Sequence, residues 1–411
     1  MEYHLANGPI AVPQPIRDAQ LTAACGHGGC ALSEEPLGLP SGYPSTLDSR
    51  LAWKGSDFKD EESYVCHMTE GDVAEIKSTL EHFKALELDG DLLAGIGQEL
   101  HNGKGFSVIR GIKPRDFSVE ELTMVWLGIQ AHIVDQRGCQ DHKGNMLGEV
   151  PRHSKCHSLA DMMLVHIIAD DSSAEMLGHH RHSTSSIVSN RSKSQFTGAE
   201  ADNPPLQSFH NEEAGDCVGW LTRSTPASGG RCIISSAYHV YNVLAAYRPD
   251  MIRTLAKSDW PFAIPKFQCR PVIFYHNSKL IMNFGRTPLL GNATHPRPSS
   301  LPQVNDRQRE ALDAIEAIAR ATQLEITTQA GDMHFINNMA VLHRREGFVN
   351  GQTGREKRHL VRMRLRSSAL GWDIPEELKG DWHDAFESSA AKAWHLEPMP
   401  GDAFPLRKYT N

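Results

Sequence analysis

Long apolar runs are missing from this sequence. No stretch of about 18 apolar residues occurs in its 411 residues, so no segment is long enough to cross a bilayer as a helix. A basic excess is missing too. Lys and Arg number 42 against 50 Asp and Glu, a formal charge of −8, and a nucleic-acid binder needs the opposite balance on its contact face. Cysteine is sparse and scattered, at Cys25, Cys30, Cys66, Cys139, Cys156, Cys217, Cys232 and Cys269. That spread in a large chain speaks against a disulfide framework and for reduced thiols in a cytoplasmic protein. Met1 to Gln20 lacks a basic cap followed by an apolar stretch, so a secretory leader is not expected. There is no internal repeat. With 40% hydrophobic and 22% charged residues, wholesale disorder is excluded as well.

What is abundant is histidine, at 22. Residues 1–40 carry Pro9, Pro13, Pro15, Pro36 and Pro40 and read as an irregular arm. The Cys25-Gly-His-Gly-Gly-Cys30 run inside it lacks the second ligand pair a zinc site needs, so a loop is expected. Seven histidines (His142, His153, His157, His166, His179, His180 and His182) match no compact ligand spacing, and a solvated loop is expected there as well. Helical periodicity starts at Thr69, with Val73, Ile76, Leu80 and Phe83 at three- and four-residue steps. Ser118-Val-Glu-Glu121 is a capping box opening a helix through Val125, Trp126 and Ile129. Further helices are expected over Tyr238–Tyr247, from Pro249 onward, and over Asn305–Arg320, whose Leu312, Ile315 and Ile318 share a face. Strands are expected at Gly105–Gly111, Val218–Thr222, Arg231–Ser235, Met333–Ile336 and His359–Leu365. Pro271–Tyr275 and Leu280–Phe284 read as a hairpin around residues 276–279. Short strands with inserted helices predict a mainly β protein with flanking helices (α+β), built on a jelly roll. We expect one domain over residues 41–400.

The segment that carries chemistry is Phe209-His210-Asn211-Glu212. If it is a strand, His210 and Glu212 point to one side and offer an imidazole and a carboxylate to one point. His343 can supply a second imidazole from a distant strand. Two His and one carboxylate on one face of a metal leave the other positions open, the arrangement of non-haem Fe(II) oxygenases. Downstream, Arg358 and Arg362 would share a strand face. Facing inward they need an anion, and a dicarboxylate co-substrate would serve. Facing outward they would be solvated, or pair with Asp332 or Glu346.

These segments, taken together, resemble the TauD/TfdA family of Fe(II)- and 2-oxoglutarate-dependent dioxygenases, and most closely its fungal taurine-dioxygenase-like, clavaminate-synthase-like branch. The resemblance covers roughly residues 41–385. It is carried by Tyr43-Pro44 with Leu51-Ala-Trp-Lys-Gly-Ser-Asp57, Gly105 to Gly111, Gln136-Arg-Gly138 with Lys143 to Leu147, and Phe209 to Glu212. Ser228-Gly-Gly230 with Ser235-Ser236, Tyr247-Arg-Pro-Asp250, Gly331 to Arg345 and Arg358 to Arg362 complete it. The resemblance implies a double-stranded β-helix core and a ferrous ion held by His210, Glu212 and His343. It implies 2-oxoglutarate anchored by Arg358, with Arg362 a second cation nearer the iron. It also implies O₂ and a small organic substrate, with hydroxylation the default outcome and fungal secondary metabolite or mycotoxin biosynthesis the setting.

The chain departs from the family pattern in three places. Glu212 stands where many relatives have Asp, moving the carboxylate oxygens outward by about 1.5 Å. Cys232 stands where a Ser or Thr hydroxyl usually helps hold 2-oxoglutarate, and a thiol is the weaker partner. Residues 148–164 separate Gly144-Asn-Met-Leu147 from Val165-His-Ile167 and read as an insertion. Two other readings stay open: a catalytically impaired member that keeps fold and ligand binding, and a zinc hydrolase using the same three ligands. Substrate identity and oligomeric state are not legible in the sequence.

Overall fold

The computed structural model describes residues 38–82, 90–139, 165–168, 208–264, 266–292, 296–351, 356 and 358–387. The strands that build the core are β1 (Val65–His67), β2 (Phe106–Arg110), β3 (Gln136–Gly138), β4 (Val165–Ile168), β5 (Cys217–Ser224) and β6 (Cys232–Ser236). They continue with β7 (Ile273–His276), β8 (Lys279–Met282), β9 (Leu324–Ile326), β10 (Met333–Asn337), β11 (Val341–Arg345) and β12 (His359–Arg366). The larger sheet runs β1-β2-β10-β5-β12-β3, with β4 also paired to β12. All its pairings are antiparallel except β1 with β2. The smaller sheet runs β9-β6-β11. The two sheets face each other, and residues of both line one cavity between them. This is the mainly β jelly-roll architecture with flanking helices that the sequence predicts.

Period-two alternation decides what the larger sheet shows to each side. On β12, Val361, Met363 and Leu365 pack outward in one cluster with residues of α1 (Glu70–His82), α2 (Gly90–His101) and α3 (Val119–Ile133), together with Met333 and Phe335 of β10 and Leu221 of β5. The alternate positions face the smaller sheet. There Val218 and Ile336 join the main core, and Trp220, Thr222, Leu360 and Arg362 line a cavity. The strands are therefore buried on both faces, and polar residues enter the inner face over a limited stretch. That stretch is the site.

The smaller sheet is backed by α4 (Ala237–Tyr247), α5 (Pro249–Leu255) and α6 (Asp306–Ala321). Their apolar stripes, including Leu312, Ile315 and Ile318, complete the main core. The starts of α3 and α6 are set by capping boxes, Ser118 with Glu121 and Asn305 with Gln308. A last helix, α7 (Glu376–Phe386), was not foreseen, and neither was α2. The expected hairpin exists with a tighter turn. His276 pairs with Lys279, and only Asn277 and Ser278, at φ 46° and 60°, form the turn.

Among the described residues no helix is long and apolar enough to cross a membrane. The Cys25–Cys30 run, the histidine-rich stretch apart from His166, the segment 148–164 and nearly all of the N-terminal arm lie outside the described residues.

Candidate metal centre

β11 is buried at all five positions and carries His343 at its middle. The chain running beside it touches it as an isolated bridge. The His210 N–H donates to the His343 carbonyl at 3.0 Å, and the His343 N–H donates back at 3.1 Å. A reciprocal antiparallel pair of this kind sets both side chains on one side. The two imidazole centroids are 4.4 Å apart. The His210 Nδ1 lies 3.1 Å from the Ser208 carbonyl, so a proton there leaves the lone pair on Nε2.

Glu212 reaches the same point from just beyond that bridge. The Asn211 N–H donates to the Phe284 carbonyl at 2.8 Å, and bends begin at Glu213. An amide clamp holds Glu212. Asn338 Oδ1 accepts the Glu212 N–H at 2.8 Å, while its Nδ2 donates to the Glu212 and Gly215 carbonyls, each at 3.1 Å. Asn211 grips in the opposite sense, donating to the Asn338 carbonyl at 2.5 Å and the Val341 carbonyl at 3.2 Å. The loop with Glu212 and the turn leading into β11 are thus tied by two side-chain amides. One ligand atom from each of His210, Glu212 and His343 lies within 4.8 Å of the other two.

Burial pushes the Glu212 carboxyl up. The Arg362 charge, the hydrogen bond from His343 and the charges of both imidazoles outweigh it and hold Glu212 well below the usual carboxylate range. Arg362 is ion-paired to Glu212. Two imidazoles and an ionised carboxylate converging from one side form a donor set suited to a divalent transition metal, with room for further ligands opposite.

A cavity opens beside these residues. Its wall includes Trp220, Thr222, Cys232, Arg345, Arg358, Leu360 and Arg362. Arg358 and Arg362 are each only 5% exposed, so the solvated alternative fails. The acids considered as partners are engaged elsewhere: Asp332 with Arg110 at 2.9 Å, and Glu346 with Arg231 at 2.5 Å. The two arginines do not share one regular strand face. Arg358 precedes β12, and the register shifts between His359 and Leu360. Both nevertheless open onto the cavity. Arg358 Nη1 is buried with no hydrogen-bond partner among the described residues. Burial, with the Arg345 charge adding to it, pulls the Arg358 guanidinium down to about 9. A buried cation in that state calls for an anion. Burial pushes the Cys232 thiol up to about 12, so it stays protonated at neutral pH and is a weak donor.

Asn338 and Trp220 lay within segments singled out in the sequence without being assigned a role. Trp220 stacks on His334 at 5.0 Å and lies 6.3 Å from His343, walling the metal side of the cavity. Only its place on the polar inner face of β5 distinguishes it from an ordinary core tryptophan. Arg345 lines the cavity as well, whereas Arg286 pairs with Asp313 at 2.7 Å.

Residues 71–364 match the profile of the family described as taurine catabolism dioxygenase TauD, TfdA family. A taurine hydroxylase-like protein, SAT17, from Stachybotrys chartarum is 28% identical over 375 residues, 86% of this chain and 89% of that one. FR-33289 synthase from Streptomyces rubellomurinus is 20% identical over 342 residues, 77% and 89% of the two chains. Among solved structures, asparagine oxygenase in complex with Fe(II), 2S,3S-3-hydroxyasparagine and succinate superposes with a TM-score of 0.49 at 14% identity, over 75% of this chain and 98% of that one.

Proposed function

This chain belongs to the TauD/TfdA family of dioxygenases, and from that premise we propose that it oxidises a small organic substrate with Fe(II), 2-oxoglutarate and O₂. The observation that carries the reading is the meeting of His210, Glu212 and His343 beside a cavity with inward-facing arginines. The three ligands fit a ferrous ion because two offer imidazole nitrogens and the third is held as a carboxylate. The far end of the cavity fits a diacid because Arg358 has a buried donor with no protein acceptor among the described residues. When bound, iron and 2-oxoglutarate supply a two-electron oxidant from O₂, with 2-oxoglutarate leaving as succinate and CO₂.

The protein's own part is positioning and exclusion of water. Asn338 and Asn211 fix the distance between the Glu212 and His343 backbones. Arg358 orients the co-substrate through its distal carboxylate, and Arg362 holds Glu212 ionised and in place. Trp220 and Leu360 supply an apolar wall. Cys232 lines the same cavity and would meet the co-substrate with a thiol in place of the family's usual hydroxyl. No protein acid–base pair is needed, since the cofactor carries the chemistry. Hydroxylation is the favoured outcome, supported by the taurine hydroxylase-like relative, and the setting that the family resemblance implies is fungal secondary metabolite or mycotoxin biosynthesis.

Anaerobic addition of Fe(II) and then 2-oxoglutarate to the purified protein tests the reading. A visible metal-to-ligand charge-transfer band and O₂-dependent succinate release are expected. A folded protein showing neither is the impaired member considered above.

A further inference from the structure

We propose that the Thr222 hydroxyl donates to the distal carboxylate of 2-oxoglutarate, taking from β5 the part that the Cys232 thiol fills poorly from β6. The proposal rests on reading the cavity as the 2-oxoglutarate site. Thr222 stands two residues after Trp220 on β5, so alternation turns it to the same inner face, and both line the cavity. Its backbone is engaged on both sides. The N–H donates to the Asp332 carbonyl at 2.8 Å, and the carbonyl accepts from the Gly331 N–H at 2.7 Å. The side chain is different. Thr222 is 1% exposed, and its Oγ1 is buried with no hydrogen-bond partner among the described residues. Val has nearly the same shape, suits a strand buried on both faces and leaves no polar atom unsatisfied. A buried hydroxyl at this position disfavours folding unless an acceptor meets it, and the side chain faces the cavity.

Position along the sheet identifies the acceptor. Trp220 pairs in register with Arg362, the partner of Glu212, and Thr222 pairs with Leu360, two residues nearer Arg358. Trp220 marks the metal side, and Thr222 lies about 7 Å farther along the strand. A five-carbon diacid, with four C–C bonds of about 1.5 Å each, spans a similar length. Arg358 brings to the same cavity a buried Nη1 with no partner among the described residues, so two donors of different kinds await one anion. A carboxylate accepts from both at once. The buried Cys232 thiol, which feels the Arg358 charge, is the weak donor of the set, and the Thr222 hydroxyl makes up for it.

The test uses the full chain loaded with Mn(II) under argon. Calorimetry compares 2-oxoglutarate with 2-oxopentanoate, which keeps the 2-oxo acid head and lacks the distal carboxylate. Thr222→Val keeps the shape and removes the donor. It should weaken 2-oxoglutarate about tenfold, the scale of one hydrogen bond to a charged group, and leave 2-oxopentanoate within about twofold. Thr222→Ala, which needs no room, should show the same split. Thr222→Ser, the conservative change, keeps the hydroxyl and should stay close to wild type. Adding Cys232→Ser to Thr222→Val should recover part of the loss. Equal weakening of both acids, or a 2-oxoglutarate affinity in Thr222→Val equal to that of a wild type that binds it, overturns the Thr222 contact alone. Wild-type protein that binds neither acid overturns the reading of the site, and the contact with it.

Discussion

His343 contributes one of the three donors, and its loss leaves a site that two residues cannot close. His343→Ala should lower Fe(II) or Mn(II) affinity by more than about 100-fold, beyond what loss of an outer hydrogen-bond partner costs. O₂-dependent succinate release should vanish while far-UV circular dichroism stays as in wild type. Turnover like wild type in that variant contradicts the ligand assignment. The residues at this scale were largely legible in the sequence because their side-chain chemistry is unusual: an imidazole–carboxylate pair, a distant imidazole and arginines downstream. Asn338 was not, because an amide in a turn ordinarily satisfies its own local backbone. Its three hydrogen bonds instead cross more than 120 positions to the Glu212 loop.

At the scale of elements, the strand expected over Phe209–Glu212 is reduced to an isolated bridge at His210. The Asn338 clamp holds the Glu212 backbone just beyond it, and this can be tested. Asn338→Ala leaves the Glu212 N–H and two buried carbonyls without their partner, which should destabilise the protein by about 1–3 kcal/mol. Metal affinity should fall about 10- to 100-fold, as for other groups that orient a ligand. Asn338→Asp keeps the acceptor for the Glu212 N–H and loses both donated bonds, so it should lie between. Urea unfolding of the metal-free protein and Mn(II) titration together check the pair. A loss of stability with unchanged metal affinity makes Asn338 a brace of the fold only. Elements with strong stripes or caps, such as α3 and α6, were legible. α2 is rich in glycine, with Gly90, Gly95 and Gly97, which weakens its helical signal. α7 buries only Leu378, Trp382 and Ala385, too short a stripe to stand out.

At the scale of the whole molecule, α7 is joined to the metal loop through one carboxylate. Asp216 is fully buried at the end of the loop that begins at His210. Its Oδ1 accepts from the Trp382 indole at 2.9 Å, and its carbonyl accepts the Asn338 N–H at 2.8 Å. The nearest cation, Arg366, stands 4.0 Å away and is itself partly exposed. Burial therefore dominates and raises the Asp216 carboxyl from 3.8 to about 6, despite the Trp382 hydrogen bond and the Arg366 charge. A carboxyl whose folded value is raised favours the folded state while it is protonated. That contribution is fully present below about pH 4 and is lost as pH rises through about 6. A rise of that size corresponds to about 3 kcal/mol. Asp216→Asn keeps an oxygen for Trp382 and cannot ionise. Urea unfolding of both proteins between pH 4 and pH 7 should show wild type losing about 3 kcal/mol relative to the variant as pH rises. Groups common to both, Glu212 included, cancel in that difference. Parallel pH profiles for the two proteins mean that Asp216 is ionised within the fold at little cost, and that Arg366 compensates it more fully than a 4.0 Å separation suggests.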